Sequence, residues 1–232
     1  MPLDNSILGQ GVYTPREAAR LVGQSPQQVL RWTRGSGATE PLWHAHYQFL
    51  EDSSEISFLD LVEVRVVSAM RSAGISMQAI RFTIKLAQEK FGIERPLASQ
   101  NFKTDGQTIL MDAVEKDGEF VSLSSKSPTQ KVFRVIIQQS LNDLEYEGDL
   151  FARWRPSKFP KIVLDPKRVF GDPILEEFGI STRSISQEYC EFGDLNYLSN
   201  IYEIPKGLLT QAISFENFLN SQPAMENGQS LI

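Results

Sequence analysis

A chain of 232 residues with 41% hydrophobic and 10% aromatic side chains can bury a core, and its length suits one large domain or two smaller ones. Its single cysteine, Cys190, excludes an intramolecular disulfide, and no apolar run approaches the roughly 20 residues of a membrane helix. The net charge of -6 argues against indiscriminate binding to phosphates. We expect no membrane association, and because the first residues lack a signal-peptide pattern we expect a cytoplasmic protein.

The charge is unevenly distributed along the chain. Residues 161–232 hold 5 basic and 10 acidic side chains, whereas residues 1–100 hold 10 of each. Within the first 34 residues, four arginines face only two acidic side chains. If the chain binds DNA, the N-terminal part is therefore the expected contact.

Residues 13–34 predict two short helices around a glycine. Thr14 is placed to cap the first helix, with Pro15 and Glu17 in its first turn, and Gly23 ends it. Ser25 caps the second helix. Such a pair is either a helical hairpin that only packs or a helix-turn-helix that binds DNA.

The outer face of the second helix favours DNA binding. Its glutamines and arginine, Gln27, Gln28 and Arg31, are the residue types that contact base edges in a major groove, while Arg16 and Arg34 suit phosphates. The predicted DNA-binding set, with the capping serine included, is Arg16, Ser25, Gln27, Gln28, Arg31 and Arg34.

The next segments complete an N-terminal domain over residues 1–95. Residues 35–50 alternate enough to predict a hairpin or wing, and two helices follow, capped near Ser57 and at Ser76, the second ending at Gly92. His44 and His46 would share a strand face, but without a third ligand nearby they predict no metal site.

Residues 96–150 predict a small antiparallel β insert followed by a helix. Short strands are expected within residues 103–114, 119–125 and 131–135, separated by turns at Asp105-Gly106 and Asp117-Gly118. A helix is expected from about residue 131 to residue 146.

Residues 151–160 predict an extended connector rich in aromatic residues and proline. Its three aromatics alternate with three cations, which suits either a nucleic-acid arm or a hinge whose aromatics dock in a groove. We favour docking, because aromatic side chains gain from burial. A strand at 161–164 and three short helices follow, from Thr182 or Ser184 to 192, over 194–202 and over 205–219, with a mobile tail at 220–232.

Two family resemblances extend this interpretation. "YTPREAARLVGQSPQQVLRWTRG" followed by "ISFLDLVEVRVVSAMRSAGISMQAIR" resembles the DNA-binding region of MerR-family regulators over about residues 12–92. The resemblance implies a winged helix-turn-helix. The long dimerisation helix and the effector-binding cysteines of that family do not follow, so sensing of metals or drugs is not implied.

Residues 161–219 resemble the small helical family catalogued as domain of unknown function 433. The residues that fit its pattern in order are Asp165, Pro166, Gly171, Pro173, Gly179, Ile180, Thr182, Ile185, Gly193, Tyr202, Ile204, Ala212, Ile213 and Phe215. Such domains resemble antitoxins of PIN-type ribonuclease toxins. Joined to a MerR-like N-terminus, the domain resembles the larger VapB-type antitoxins.

The charge of this C-terminal domain favours a protein partner. Its last two helices have a helix-turn-helix shape, but their one cation, Lys206, is outnumbered by acidic residues, which disfavours phosphates and suits a basic RNA-binding cleft. The predicted toxin-binding residues are Phe159, Glu176, Glu177, Glu188, Glu191, Phe215 and Phe218. Cys190 is expected to be a small core residue, and we identify no catalytic residues, metal site or cofactor.

The sequence thus predicts a mainly α (α+β) fold: a MerR-like winged helix-turn-helix, a small antiparallel β insert and a three-helix, helix-turn-helix-like C-terminal domain. The functional hypothesis is a type II antitoxin that neutralises a PIN-domain ribonuclease and represses its own operon. It would bind an inverted-repeat operator as a homodimer, or act in a larger assembly with the toxin. The alternatives are a stand-alone MerR-like regulator whose C-terminal part senses a ligand or dimerises, and a structural adaptor that does not bind DNA.

Overall fold

The computed structural model describes residues 9–50, 53–117 and 130–222, without the side chains of residues 130 and 131. Within these ranges the chain is mainly helical with one five-stranded antiparallel sheet, as the predicted α+β class requires. The helices are α1 (Pro15–Val22), α2 (Pro26–Arg34), α3 (Phe58–Ser72), α4 (Met77–Phe91), α5 (Gln100–Asp117), α6 (Gln130–Leu141), α7 (Thr182–Phe192), α8 (Leu195–Tyr202) and α9 (Lys206–Ser221). The strands are β1 (Leu144–Glu147), β2 (Leu150–Trp154), β3 (Ile162–Leu164), β4 (Pro173–Leu175) and β5 (Ile180–Ser181).

The ends of the first four helices are set by local capping, and the predicted caps are confirmed. Thr14 and Glu17 form a reciprocal capping box at α1, and Gly23 closes that helix in the left-handed conformation. Ser57 and Ser76 cap α3 and α4 through their hydroxyl groups. Because these signals lie within a few residues of each helix end, they can be recognised before any tertiary contact is known.

The predicted strand within residues 103–114 is wrong, because α5 runs through it. Its buried residues, Phe102, Gly106, Ile109, Leu110, Ala113 and Val114, follow the helical period. Asp105-Gly106, taken for a turn, lies in mid-helix. A Cβ at Gly106 would be 3.0 Å from the Phe102 ring one turn earlier in α5 and 3.1 Å from the Ile137 side chain of α6, so this glycine makes room for both.

Helix α6 replaces the strand predicted at residues 131–135 and ends at Leu141, short of the predicted residue 146. The chain then enters β1 and turns through Gly148, whose φ is +67°, into β2. The strand predicted at 119–125, the turn at Gly118 and residues 223–232 of the predicted tail lie outside the described residues.

The first residues of the predicted connector belong to the sheet, because β2 runs from Leu150 to Trp154. Strand β2 pairs with both β1 and β3, and the order in the sheet is β1-β2-β3-β4-β5. The connector aromatics Phe151 and Trp154 are buried in the chain's own core, as the docking alternative requires. The strand predicted at 161–164 and the three C-terminal helices are confirmed.

A single cluster of buried side chains extends from Tyr13 to Leu219, so the N-terminal and C-terminal helices share one core. Within the described ranges, no helix combines the length and the apolar character needed to cross a membrane.

Candidate functional site

The outer face of α2 carries the residues predicted to contact bases. Val29, Trp32 and Thr33 are buried beneath the helix, while Gln27 and Arg31, one turn apart, are exposed. Gln28 is half-buried. The sequence therefore places Gln27 and Arg31 correctly on one accessible helix face.

A side-chain cap at the start of α2 and a glycine at its end set the limits of this helix. The Ser25 hydroxyl accepts a hydrogen bond of 3.2 Å from the Gln28 amide at the start of the helix, so its role in the structure is that of a cap. At the other end, Gly35 has a φ of +80°, and a Cβ there would lie 2.4 Å from the Thr39 carbonyl oxygen.

The two other predicted arginines occupy different surroundings. Arg34 is half-buried, and its Nε and Nη2 atoms have no hydrogen-bond partner among the described residues. Its charge contributes to the low pKa of Glu55, which is mainly due to a hydrogen bond from Ser53. Arg16 is exposed on α1 and lines a cleft with residues of α7 and α9 rather than of α2.

Residues 35–50 do not form the predicted β-hairpin. The only pairing in this segment is an isolated bridge between Ser36 and Thr39, and the rest is irregular. The buried Asp60 of α3 holds it in place by accepting hydrogen bonds of 3.0 Å from the Trp43 indole and 2.9 Å from the His46 amide. A long-range contact with α3, rather than strand pairing, thus shapes this segment.

The Asp60 carboxylate also connects residues 35–50 to Arg95, which lies just after α4. Arg95 donates from Nε to Asp60 at 2.9 Å and from Nη2 to the His44 carbonyl at 3.0 Å. The His44 ring is exposed beside Gln48, and no group of three potential metal ligands occurs within residues 9–50, 53–117 and 130–222.

An ionic junction joins α1 to the C-terminal helices. Arg20 donates to the Glu216 carboxylate at 2.5 Å and to the Asn220 side chain at 2.9 Å. The Glu216 side chain is only 4% exposed and also accepts a hydrogen bond from Thr182 on α7. A nearly buried acid on α9 is thereby satisfied by groups from two other helices.

A second ion pair lies beside it. Arg183 of α7 donates to Glu17 of α1 at 2.8 Å. Burial works against ionisation of Glu17, but hydrogen bonds from the Thr14 amide and from Arg183 outweigh it and lower the pKa of Glu17. Nearby, burial raises the pKa of Asp172, and the charge of Arg183 only partly opposes this.

Two hydrogen bonds from the residues just before α1 extend the junction to residues 170–171. The buried Tyr13 hydroxyl donates to the Gly171 carbonyl oxygen at 2.8 Å, and the Val12 amide donates to the Phe170 carbonyl oxygen at 2.8 Å. Val169 and Phe170 both have positive φ angles, which are strained for a β-branched and a bulky side chain.

The junction was not predicted from the sequence, although the sequence contains one indication of it. Glu216 lies one turn after Ala212, on the buried stripe of α9 that contains Leu209, Ala212, Phe215 and Leu219. An acidic residue on such a stripe predicts a buried partner, but only the fold identifies it as Arg20.

The predicted toxin-binding residues do not form one exposed surface. Phe215 is 2% exposed, and Phe159 packs against Phe215 and Phe218 with ring centroids 5.3 and 5.7 Å apart. Glu176 is paired with the guanidinium of Arg155 through two hydrogen bonds of 2.6 and 2.7 Å.

The remaining acids are more accessible. Glu188 accepts a hydrogen bond from the Tyr202 hydroxyl, while Glu177 and Glu191 are exposed. Cys190 is exposed on α7, so the expectation that it is a core residue is wrong. Its side chain lines the cleft between α7 and α1.

Comparison with known proteins gives both a sequence and a structural similarity, although no family model matches the chain. Over 193 residues the chain is 28% identical to a Mycobacterium tuberculosis protein named "Putative antitoxin VapB45", a match that covers 75% of this chain and 80% of that protein. The crystal structure of Rv2018 from Mycobacterium tuberculosis superposes with a TM-score of 0.67 at 24% identity, covering 87% of this chain and 96% of that one. The resemblances to MerR regulators and to domain of unknown function 433 stay predictions, whereas the structural match shows a fold shared over most of the chain.

Proposed function

We propose that this chain is the antitoxin of a type II toxin-antitoxin system, neutralising a PIN-domain ribonuclease and repressing its own operon. Two kinds of observation support this proposal. The sequence similarity to a protein named as an antitoxin extends over 75% of the chain. The observation that carries the DNA-binding half is the exposed pair Gln27 and Arg31 on a capped helix whose other face is buried.

Repression would use α2 as the helix that enters the major groove. Arg31 suits the O6 and N7 acceptors of guanine, and Gln27, one turn earlier, suits adenine. Because so short a helix contacts only a few base pairs, a homodimer on an inverted repeat would supply the second half-site.

Neutralisation would use the acidic C-terminal helices. A ribonuclease that holds RNA presents positive charge around its active site, and an acidic protein surface can occupy that cleft and exclude the substrate. Glu177 and Glu191 are free to face such a partner, whereas Glu176 is already paired and Phe215 lies in the core. The latter two therefore support the surface rather than contact the toxin.

The DNA-binding half is tested with Arg31→Ala, measured by fluorescence anisotropy on the DNA upstream of the chain's own gene and on random DNA. We expect a loss of about 1–3 kcal/mol on the operator and a smaller loss on random DNA. Arg134→Ala, which removes an exposed arginine on α6, is the matched control. Equal losses on both DNAs would make Arg31 a phosphate contact, and no loss would refute the recognition-helix assignment.

A second candidate function, a stand-alone regulator that senses a small ligand, is favoured by one feature. The cleft between α1, α7 and α9 has a volume of about 620 Å³ and is lined by polar side chains, including Arg16 and Gln187. The two functions differ in a simple measurement. An antitoxin co-purifies with the nuclease encoded beside it, whereas a sensor purifies alone and changes its operator affinity with a ligand.

A further inference from the structure

Helix α8 has apolar side chains on two faces. Leu198 is fully buried, and Leu195 and Tyr202, three and four residues away, are half-buried on the same side. Tyr197 and Ile201, one turn apart, project from another face and are 43% and 54% exposed. The solvent side of a surface helix is ordinarily polar, so this second apolar face lacks a partner within the described chain.

The end of α7 enlarges the exposed face. Phe192, the last residue of α7, is 51% exposed, and its ring centroid lies 5.1 Å from that of Tyr197. Phe192, Tyr197 and Ile201 are here called the α8 patch. It contains two aromatic side chains in mutual contact, the residue type most enriched at the centre of protein interfaces.

The α8 patch is held in a fixed conformation. Gly193 ends α7 with a φ of +68°, and Asp194 then caps α8 by accepting a hydrogen bond of 2.7 Å from the Asn196 amide. At the far end, the Tyr202 hydroxyl donates to Glu188 of α7. A rigid surface loses little conformational entropy on binding, which favours a role in recognition.

Acidic residues flank the patch along the chain, and they are here called its rim. Glu191, Asp194 and Glu203 are all exposed, and Lys206 is the cation among them. Hydrogen bonds from backbone amides, with a smaller effect of Lys206, hold the pKa of Asp194 below its ordinary value, so the carboxylate is charged at neutral pH. The net charge of the rim is therefore negative.

This combination of apolar centre and acidic rim selects among occupants. Nucleic acid is disfavoured because phosphates would meet carboxylates. A second copy of the chain is disfavoured because a two-fold interface would bring two acidic rims together. A protein with an apolar pocket inside a positively charged surface is complementary in both respects.

We propose that the α8 patch is the main contact with the ribonuclease toxin, inserting Tyr197 and Ile201 at the edge of its basic RNA-binding cleft while the acidic rim pairs with the surrounding cations. This inference rests on the proposed function. It moves the centre of the toxin contact from Phe159, Phe215 and Phe218, which pack on one another, to side chains that are already exposed.

The test measures binding of the full-length chain to the purified nuclease encoded beside its gene. We expect Tyr197→Ala/Ile201→Ala to weaken binding by about thirtyfold or more, the effect of removing an interface hot spot. Alanine preserves helix propensity, so α8 is retained. Val132→Ala/Val135→Ala is the matched control, since these exposed apolar side chains on α6 lie outside the patch.

A second variant tests the rim separately. Glu191→Gln/Asp194→Asn removes two charges, and asparagine preserves the cap of α8. We expect slower association and a weaker salt dependence, with a smaller change in the dissociation rate.

The outcomes separate the two levels of the proposal. If the unaltered chain does not bind the nuclease, the proposed function is wrong. If it binds and the Tyr197→Ala/Ile201→Ala variant binds equally well, the function stands and the α8 patch is not the contact. If light scattering shows the unaltered chain as a dimer and this variant as a monomer, the patch is an interface between two copies and the inference is overturned.

Discussion

Glu63 gives the protein a stability that depends on pH. Its side chain lies in α3 with no exposure; Oε1 accepts a hydrogen bond of 2.9 Å from the Ala98 amide, whereas Oε2 has no partner among the described residues. Burial raises the pKa of Glu63 to about 8, against an ordinary value of 4.5, and the hydrogen bond and the charge of Arg95 only partly oppose this.

The sign and size of the effect follow from linkage. Between pH 4.5 and pH 8 the folded state holds one proton more than the unfolded state, so the stabilisation is complete below pH 4.5 and is lost as the pH rises through 8. The slope is about 1.4 kcal/mol per pH unit, which gives a loss of about 2 kcal/mol from roughly pH 5.5 to 7.

The substitution Glu63→Gln isolates this contribution. The amide is neutral at every pH and its oxygen can still accept from the Ala98 amide. We expect urea unfolding curves to show the variant gaining about 2 kcal/mol relative to the unaltered chain over that pH range. Other titrating groups are shared and cancel in the comparison.

Glu89→Gln is the matched control, because Glu89 is an exposed glutamate on α4. Its profile should run parallel to that of the unaltered chain. If the Glu63→Gln profile is also parallel, Glu63 does not take up a proton on folding and the reasoning is refuted.

Two further predictions concern the junction between the ends of the chain. Glu216→Ala should lower the free energy of unfolding by about 2 kcal/mol in urea, less than for a fully buried ion pair because the Arg20 side chain is 26% exposed; an unchanged midpoint would contradict this. Gly171→Ala should destabilise the chain by about 1–3 kcal/mol more than Gly74→Ala, because both glycines have positive φ but only at Gly171 would a Cβ meet the Tyr13 hydroxyl, at 2.2 Å. Thermal unfolding of the two variants measures the difference. Equal losses of stability would show that Tyr13 can move away from the new methyl group without destabilising the chain.

The middle of the chain shows how a local signal can mislead. Asp105-Gly106 is typical of a turn, and it led to a strand interpretation of residues that form α5. A Cβ at Gly106 would lie 3.0 Å from the Phe102 ring of the same helix and 3.1 Å from the Ile137 side chain of α6. Since Ile137 lies on another helix, the sequence around Gly106 contains only part of the reason for its presence.

The candidate sites divide in the same way. Exposure of Gln27 and Arg31 follows from the period of α2, so the sequence is sufficient to place them. The α8 patch is not evident from sequence, because an apolar Tyr197 or Ile201 looks like a core residue until the structure shows that Leu198 faces the core instead.

Features that depend on near neighbours can be predicted from the amino-acid sequence: the helix caps at Thr14, Ser25, Ser57 and Ser76, the C-terminal helices, and the concentration of negative charge in the last third of the chain. The pairing of Arg20 with Glu216, and the place of β2 in the five-stranded sheet, are known only from the folded chain. The two groups differ in the sequence separation of the residues that interact. A cap or a helical period is complete within a few residues, whereas a buried ion pair or a strand ladder joins residues far apart in sequence and exists only once the chain has folded around them.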